Sequence, residues 1–272
     1  MSDPTTAMAP GPAQTLARKT RTSQAWSTLL WRLASFALVF GIWEIAGQLQ
    51  ISRAFPPASD VALAILEMTV NGEFVQAYSA SLPPLLIGLF VTIVGGVSLG
   101  VAVGLMRTAE WFFVPVLVIF QTAPVSAIIP LLTYMYGISD ASKVVAIIIL
   151  GLPLVALNSY KGIQATNPSL IAMSRSFMAS RIDTIRLIIL PSASEMIFAG
   201  LRLGVSGAFI GIVLAELLIT PTGIGDLITF NRAIARYDKM FAAIVSILAV
   251  AAVTLGLLQG LETRLFRREK SS

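Results

Sequence analysis

Six apolar runs, each bounded by charge, proline or glycine, limit what this chain can fold into more than any other feature. They cover about Leu33–Leu49, Leu82–Met106, Phe112–Tyr136, Val144–Leu157, Met196–Leu218 and Met240–Leu261. A helix needs about 20 residues, with a range of roughly 17 to 25, to cross the hydrocarbon of a bilayer. Five runs reach that length, and the fourth does so only with Lys143 and Asn158 at the two interfaces. Water cannot be the solvent for such a chain. A soluble domain carries about 25% charged residues, whereas this sequence has 12% charged and 56% hydrophobic residues and a mean hydropathy of +0.83. The first run follows a basic flank as in a signal peptide, but no small-x-small cleavage site follows it, so it reads as a retained span. The expected fold is therefore an all-α membrane protein of six transmembrane helices.

The charges set its orientation. With the N-terminus inside, Arg18, Lys19, Arg21, Arg32, Arg107, Lys161, Arg175, Arg181, Arg186, Arg264, Arg267, Arg268 and Lys270 are cytoplasmic, and Arg53, Lys143, Arg232, Arg236 and Lys239 lie outside. Thirteen against five, with Arg202 inside a span, is the bias of a positive-inside protein with both termini cytoplasmic. Residues 1–30, rich in Pro, Ala, Thr and Ser, read as a disordered cytoplasmic tail; 31–264 form the membrane domain and 265–272 a basic tail. The net charge of +5 and pI near 9.8 are thus a topology signal. No nucleic-acid partner is implied, because basic and aromatic residues do not interleave.

Chemistry is poorly provided for. With no His and no Cys, the chain has no imidazole base, no thiolate, no disulfide and few metal ligands, so no catalytic or metal site is expected. Glu44 and Glu216, the acids of a membrane-embedded enzyme, fall on different helices. A GxxxxGK[ST] phosphate loop is missing, so any ATP–Mg would be bound and hydrolysed by another chain. Charges at membrane depth are expensive. Arg202 and Glu216 lie 14 residues apart on one helix, about 21 Å along its axis, too far to pair. Glu216 is expected at the outer interface, where Thr220 and Pro221 end the helix, and Arg202 is expected to reach Glu195.

Packing features are plain. Gly96, Gly100 and Gly104 form one small-residue ridge, and Gly200, Gly204, Ala208, Gly207 and Gly211 another, as needed for close helix approach. Pro115, Pro124 and Pro130 interrupt the third run and Pro153 the fourth, freeing carbonyls near Gln121, Thr122 and Leu150. Such breaks either kink a packing helix or face a cavity in a transporter. Substrate-pathway candidates are Thr122, Tyr134, Asn158, Arg202 and Ser206.

Two connections are long enough to carry structure. Outside, Pro56 and Pro57 precede Ser59, an expected N-cap for a short amphipathic helix through Leu66. Inside, residues 159–191 alternate Ile171, Phe177, Ile182 and Ile185 with Arg175, Arg181 and Arg186. That pattern suits either a helix lying on anionic lipid or a docking surface for a cytoplasmic protein.

The stretch Arg175-Ser176-Phe177-Met178-Ala179-Ser180-Arg181, followed by Ile188, Leu190 and Pro191 and then Gly200-Leu201-Arg202, resembles the cytoplasmic loop of the membrane permeases of binding-protein-dependent ABC importers. There the loop reads E-A-A, three residues, G, nine residues, I-x-L-P. Phe55-Pro56-Pro57-Ala58-Ser59, Gly88, Gly100, Gly104, Pro124, Pro130, Leu131, Gly137, Lys143, Ala215-Glu216 and Gly223-Ile224-Gly225 are similar to the nitrate, taurine and alkanesulfonate branch. The resemblance covers about residues 33–262. It implies a type I importer-like bundle in the bacterial inner membrane and a second permease copy. It further implies a cytoplasmic ATPase dimer and a periplasmic or extracellular solute-binding protein. The cargo would be a small sulfonate, nitrate or heterocyclic vitamin precursor.

Arg175 to Arg181 with Ile188, Leu190 and Pro191 would couple to the ATPase. Two departures stand out: Ala172, Met173 and Ser174 replace the E-A-A triplet, and Met178 replaces the glycine. Altered electrostatics, or a heteromeric pair in which a second permease supplies the standard loop, would follow. The alternative from another class is an ion-coupled secondary transporter or channel without an ATPase. No inverted sequence repeat and few membrane-depth carboxylates speak for it.

Overall fold

The computed structural model describes residues 30–31, 33–219 and 221–266, and every regular element among them is helical. The tails expected over 1–30 and 265–272 lie almost wholly outside the described residues, although the last helix runs on through Phe266. The chain divides into two units, residues 1–62 and 63–272.

The first unit holds α1 (Leu33–Gln48) and the start of α2 (Ala58–Val70). The connection folds back onto α1, where Trp43 Nε1 donates to the Pro56 carbonyl at 3.1 Å. Glu44 accepts from the Ser59 amide and Oγ, both at 2.9 Å, and from Gln48 Nε2 at 3.0 Å. Ser59 is therefore not the N-cap expected from sequence. It sits within the first turn, and its hydroxyl is spent on a carboxylate, a stronger acceptor than a neutral one.

The second unit continues with α3 (Glu73–Leu105), α4 (Arg107–Thr122), α5 (Val125–Tyr136) and α6 (Asp140–Gln164). Then come α7 (Pro168–Ser176), α8 (Arg181–Thr184), a π turn (Ile185–Ile189), α9 (Leu190–Leu218), α10 (Ile224–Ala233) and α11 (Tyr237–Phe266). At its centre α6 lies between α3 and α9, and both glycine ridges face it. A Cβ on Gly96 would come within 2.7 Å of Val155 Cβ, one on Gly104 within 2.6 Å of Ile163 Cβ, and one on Gly211 within 2.8 Å of Ile147 Cα. The backbones meet where a side chain would hold them apart, which is the close approach the small-residue spacing predicts.

Among the described residues, four helices are long and apolar enough to cross a membrane: α3, α6, the continuous stretch Arg181–Leu218, and α11. The pair α4 and α5, bent by 101°, adds a fifth if it counts as one span, and α1 is a shorter apolar helix. The third run is thus two helices meeting at a sharp bend and not one kinked helix. Ala123 is extended at ψ 138°, and Pro124 follows it without an N–H to donate, whereas Pro115 and Pro130 are held inside their helices. The fourth run is longer than its apolar core, because α6 extends through Lys143 at one end and Asn158 at the other. Residues 159–164, expected in the inner loop, are its last turns.

Candidate functional site

The loop between α6 and α9 is built by a chain of caps. Asn167 Oδ1 accepts from the Ser169 amide at 3.0 Å, with Pro168 in the first turn, and this starts α7. α7 closes with the Met178 amide on the Arg175 carbonyl at 2.9 Å and the Ala179 amide on the Ser174 carbonyl at 3.0 Å. That pair of bonds is a Schellman cap, whose key residue is usually glycine because it is left-handed. Here the residue is Met178, with φ +52°, at the position where the sequence lacks the glycine.

Ser180 then caps α8 by accepting from the Asp183 amide at 3.1 Å, while its Oγ donates to Asp183 Oδ2 at 2.6 Å. Ser174 and Thr184 hydroxyls meet at 3.1 Å and tie α7 to α8.

These caps sort the alternating pattern into two faces. Ile171 and Ile185 pack with Ile163, Ile189 and Ala193 under the loop. Phe177 and Ile182 point away, 78% and 75% exposed, beside Met178 at 92%. Arg175, Ser176, Ala179, Ser180, Arg181 and Arg186 are also exposed, and Ile188 and Leu190 are half-buried ahead of exposed Pro191. A cavity of about 560 Å³ lies against the loop, lined by Leu105, Ile171, Arg175, Ala179, Arg181, Thr184, Ile185 and Ile189. The outward face is an apolar knob with basic neighbours, and its one acid in α8, Asp183, is occupied by Ser180.

The charges at membrane depth have partners that the sequence reading did not assign. Glu216 is buried inside the protein. It accepts from Lys143 Nζ at 3.2 Å, Ser81 Oγ at 2.6 Å and the Gly225 amide at 2.9 Å. Lys143, expected on the outer side at the membrane interface, is 1% exposed and also donates to Thr222 Oγ1 at 3.1 Å. This cluster joins α3, α6, α9 and the start of α10. Gly223, at φ +91°, lets the chain turn over Glu216, whose carboxylate occupies the space a side chain would need. Arg202 does not pair with Glu195; its Nη1 donates to Glu262 of α11.

The pathway candidates lie on four helices, Thr122 on α4, Tyr134 on α5, Asn158 on α6, and Arg202 and Ser206 on α9. Thr122 and Tyr134 are exposed on α4 and α5, and the Thr122 hydroxyl returns to the Val118 carbonyl at 3.0 Å. Asn158 Nδ2 donates to the Leu154 carbonyl at 2.7 Å, and Ser206 Oγ to that of Arg202 at 3.0 Å. Asn158, half-buried, packs at Gly200.

Long apolar helices packed on glycine, with charge gathered at their ends and in one capped loop, define a multi-pass membrane protein. Residues 92–267 match the family described as binding-protein-dependent transport system inner membrane component, and the chain belongs to that family. It is 27% identical over 237 residues to an aliphatic sulfonates transport permease protein of Bacillus subtilis, covering 86% of each chain. It is 28% identical over 241 residues to the taurine transport system permease protein of Escherichia coli, covering 86% of this chain and 87% of that one. The fold is similar to a crystal structure of an amino acid ABC transporter, with TM-score 0.56 and 17% identity over 75% of this chain and 98% of the other.

Proposed function

We propose that this chain is the permease subunit of an ATP-driven importer for a small solute, with an organic sulfonate as the first candidate. Nitrate or a heterocyclic vitamin precursor follows. In this reading α1 and the bent pair α4–α5 complete six spans, and both termini are cytoplasmic. Two permease copies form the path, a cytoplasmic ATPase pair binds and hydrolyses ATP–Mg, and a solute-binding protein delivers cargo from outside. The permease itself performs no catalysis. The two relatives, named for the transport of aliphatic sulfonates and of taurine, support the sulfonate class.

One observation carries the coupling role: Phe177, Met178 and Ile182 form an exposed apolar knob on a loop locked by caps. Its last turns run without interruption into α9. Closure of the ATPases on ATP would hold the knobs of two permeases closer and favour one orientation of the bundles, a population shift driven by contacts that differ between two states. Met178 adopts the left-handed conformation itself, so the loop reaches its capped shape without glycine, which supports two copies of this chain over a heteromeric pair.

The test is ATP-driven uptake in vesicles holding the permease with its cognate ATPase and binding protein. Phe177→Ala and Arg181→Glu are expected to abolish uptake while the permease still inserts and the ATPase still hydrolyses ATP. Normal uptake by both variants would end the coupling assignment. Uptake that survives ATP depletion but collapses with the ion gradient would favour a secondary transporter.

A further inference from the structure

α11 is attached to its unit unevenly. Its buried residues, Lys239, Ala242, Ala243 and Ile247, all lie in the first half. From there the helix stands clear: Leu248, Val253, Leu257 and Leu261 are exposed, and a Cβ on Gly256 or Gly260 would meet nothing within 4 Å. At the far end Arg202 of α9 reaches across to Glu262. The gap that remains is a cleft of about 680 Å³ lined by Glu195, Met196, Arg202, Gln259, Glu262 and Thr263. That volume is within the roughly 300–1,000 Å³ of small-molecule sites.

The height of this cleft follows from the sequence of α11. Residues 240–261 carry no charge, and Glu262, Thr263 and Arg264 come next. Twenty-two residues rise about 33 Å, close to the thickness of bilayer hydrocarbon. Glu262 therefore marks the boundary between hydrocarbon and headgroups, and Arg202, bonded to it, is at the same level. The charges lining the cleft are one guanidinium and two carboxylates, with the Gln259 amide and Thr263 hydroxyl beside them. The Arg202 side chain is 37% exposed and lines the cleft, and only one of its five N–H donors is needed by Glu262. A lone anion would meet two carboxylates, and a lone cation would meet the arginine. A ligand with an oxoanion and a primary ammonium a few bonds apart satisfies both.

We infer that this cleft binds a phosphoethanolamine group, its phosphate on Arg202 and its ammonium between Glu195 and Glu262. The source is a membrane lipid, because the cleft lies at headgroup height, where the uncharged stretch of α11 ends. The proposal goes beyond the transport reading and does not rest on it.

The test uses the full-length permease with its ATPase, reconstituted in nanodiscs of phosphatidylethanolamine, phosphatidylglycerol and phosphatidylcholine in equal parts. Lipids retained after mild detergent extraction are counted by native mass spectrometry. Wild type is expected to retain phosphatidylethanolamine about tenfold over either of the other two lipids, the worth of one hydrogen bond to a charged group. Arg202→Gln with Glu262→Gln, which removes the pair without stranding a charge, should return retention to the bulk share. Glu195→Gln, at an exposed position, should lower it without touching the pair. Retention in bulk proportions by wild type, or equal enrichment in the double variant, overturns the site. Displacement of the lipid by free O-phosphoethanolamine assigns the same chemistry to a soluble zwitterion and overturns the lipid source; persistence of the lipid supports it.

Discussion

Removing the charge of Glu216 tests whether the buried cluster holds the end of the bundle together. In Glu216→Gln the side chain keeps its shape, but one of its two terminal atoms becomes a donor facing Lys143 Nζ or the Gly225 amide, which are themselves donors. Lys143, 1% exposed, keeps Thr222 Oγ1 at 3.1 Å and the more distant, exposed Asp140 at 3.8 Å. Leaving a buried charge without its partner costs about 3–5 kcal/mol. Lys143→Met is expected to cost less, about 1.5–3 kcal/mol, because Glu216 retains the Ser81 hydroxyl at 2.6 Å and the Gly225 amide at 2.9 Å. The double variant buries no charge and should be more stable than the two single losses predict, with a coupling of about 1–3 kcal/mol. Unfolding by SDS in mixed micelles, followed by tryptophan fluorescence, gives all three values. A Glu216→Gln variant within about 1 kcal/mol of wild type, or strictly additive losses, would refute the pairing argument.

The glycine ridges and the caps give further tests. Gly211→Ala would place a methyl 2.8 Å from Ile147 Cα and 3.1 Å from the Ala146 carbonyl, backbone that cannot yield; a loss of about 1–3 kcal/mol is expected by the same micelle titration. Gly256→Ala meets nothing within 4 Å and should be neutral or gain up to about 1 kcal/mol from helix propensity. Met178→Gly and Ala235→Gly, at φ +52° and +59°, should each relieve about 1 kcal/mol of left-handed strain, partly offset by the freer unfolded chain. Melting temperatures should rise or stay level. Lys239, 8% exposed, bridges Glu67 at 2.9 Å and Glu73 at 2.6 Å. Its replacement by Met leaves two carboxylates facing each other, and faster hydrogen exchange over residues 237–247 is the expected sign.

What the sequence made legible was local. Glycines at intervals of four needed only helical periodicity to be placed on a packing face, and α6 does lie against both ridges. In the loop, the resemblance puts Met178 at a glycine position and the left-handed residue falls there, whereas the caps at Asn167 and Ser180 are not foreseen. The ion pairs were not legible. Arg202 was matched with Glu195 because seven residues are within local reach, but its partner Glu262 is sixty residues away. Lys143 and Glu216 are separated by 73 residues, and each taken alone looks like a charge at the end of a span. Three prolines in the third run were visible, yet which one breaks it depends on packing. Leu117 of α4 packs with Ala156 and Leu157, and Val125 and Ile129 of α5 with Ala146 and Ala215, so two ends of α6 hold the two pieces on either side of Pro124.

In the proposed coupling, the unbroken stretch from Arg181 to Leu218 would act as a lever. Its 38 residues measure about 57 Å at helical rise, with the loop knob just before one end and Glu216 at the other. Wedged backbone to backbone against α6, it has little room to bend, so tilting is its available motion. A tilt of about 5° around its midpoint would carry each end about 2.5 Å in opposite directions. A push on Phe177 would then arrive as a pull on the start of α10, without any chain of rearranging side chains between the two membrane faces.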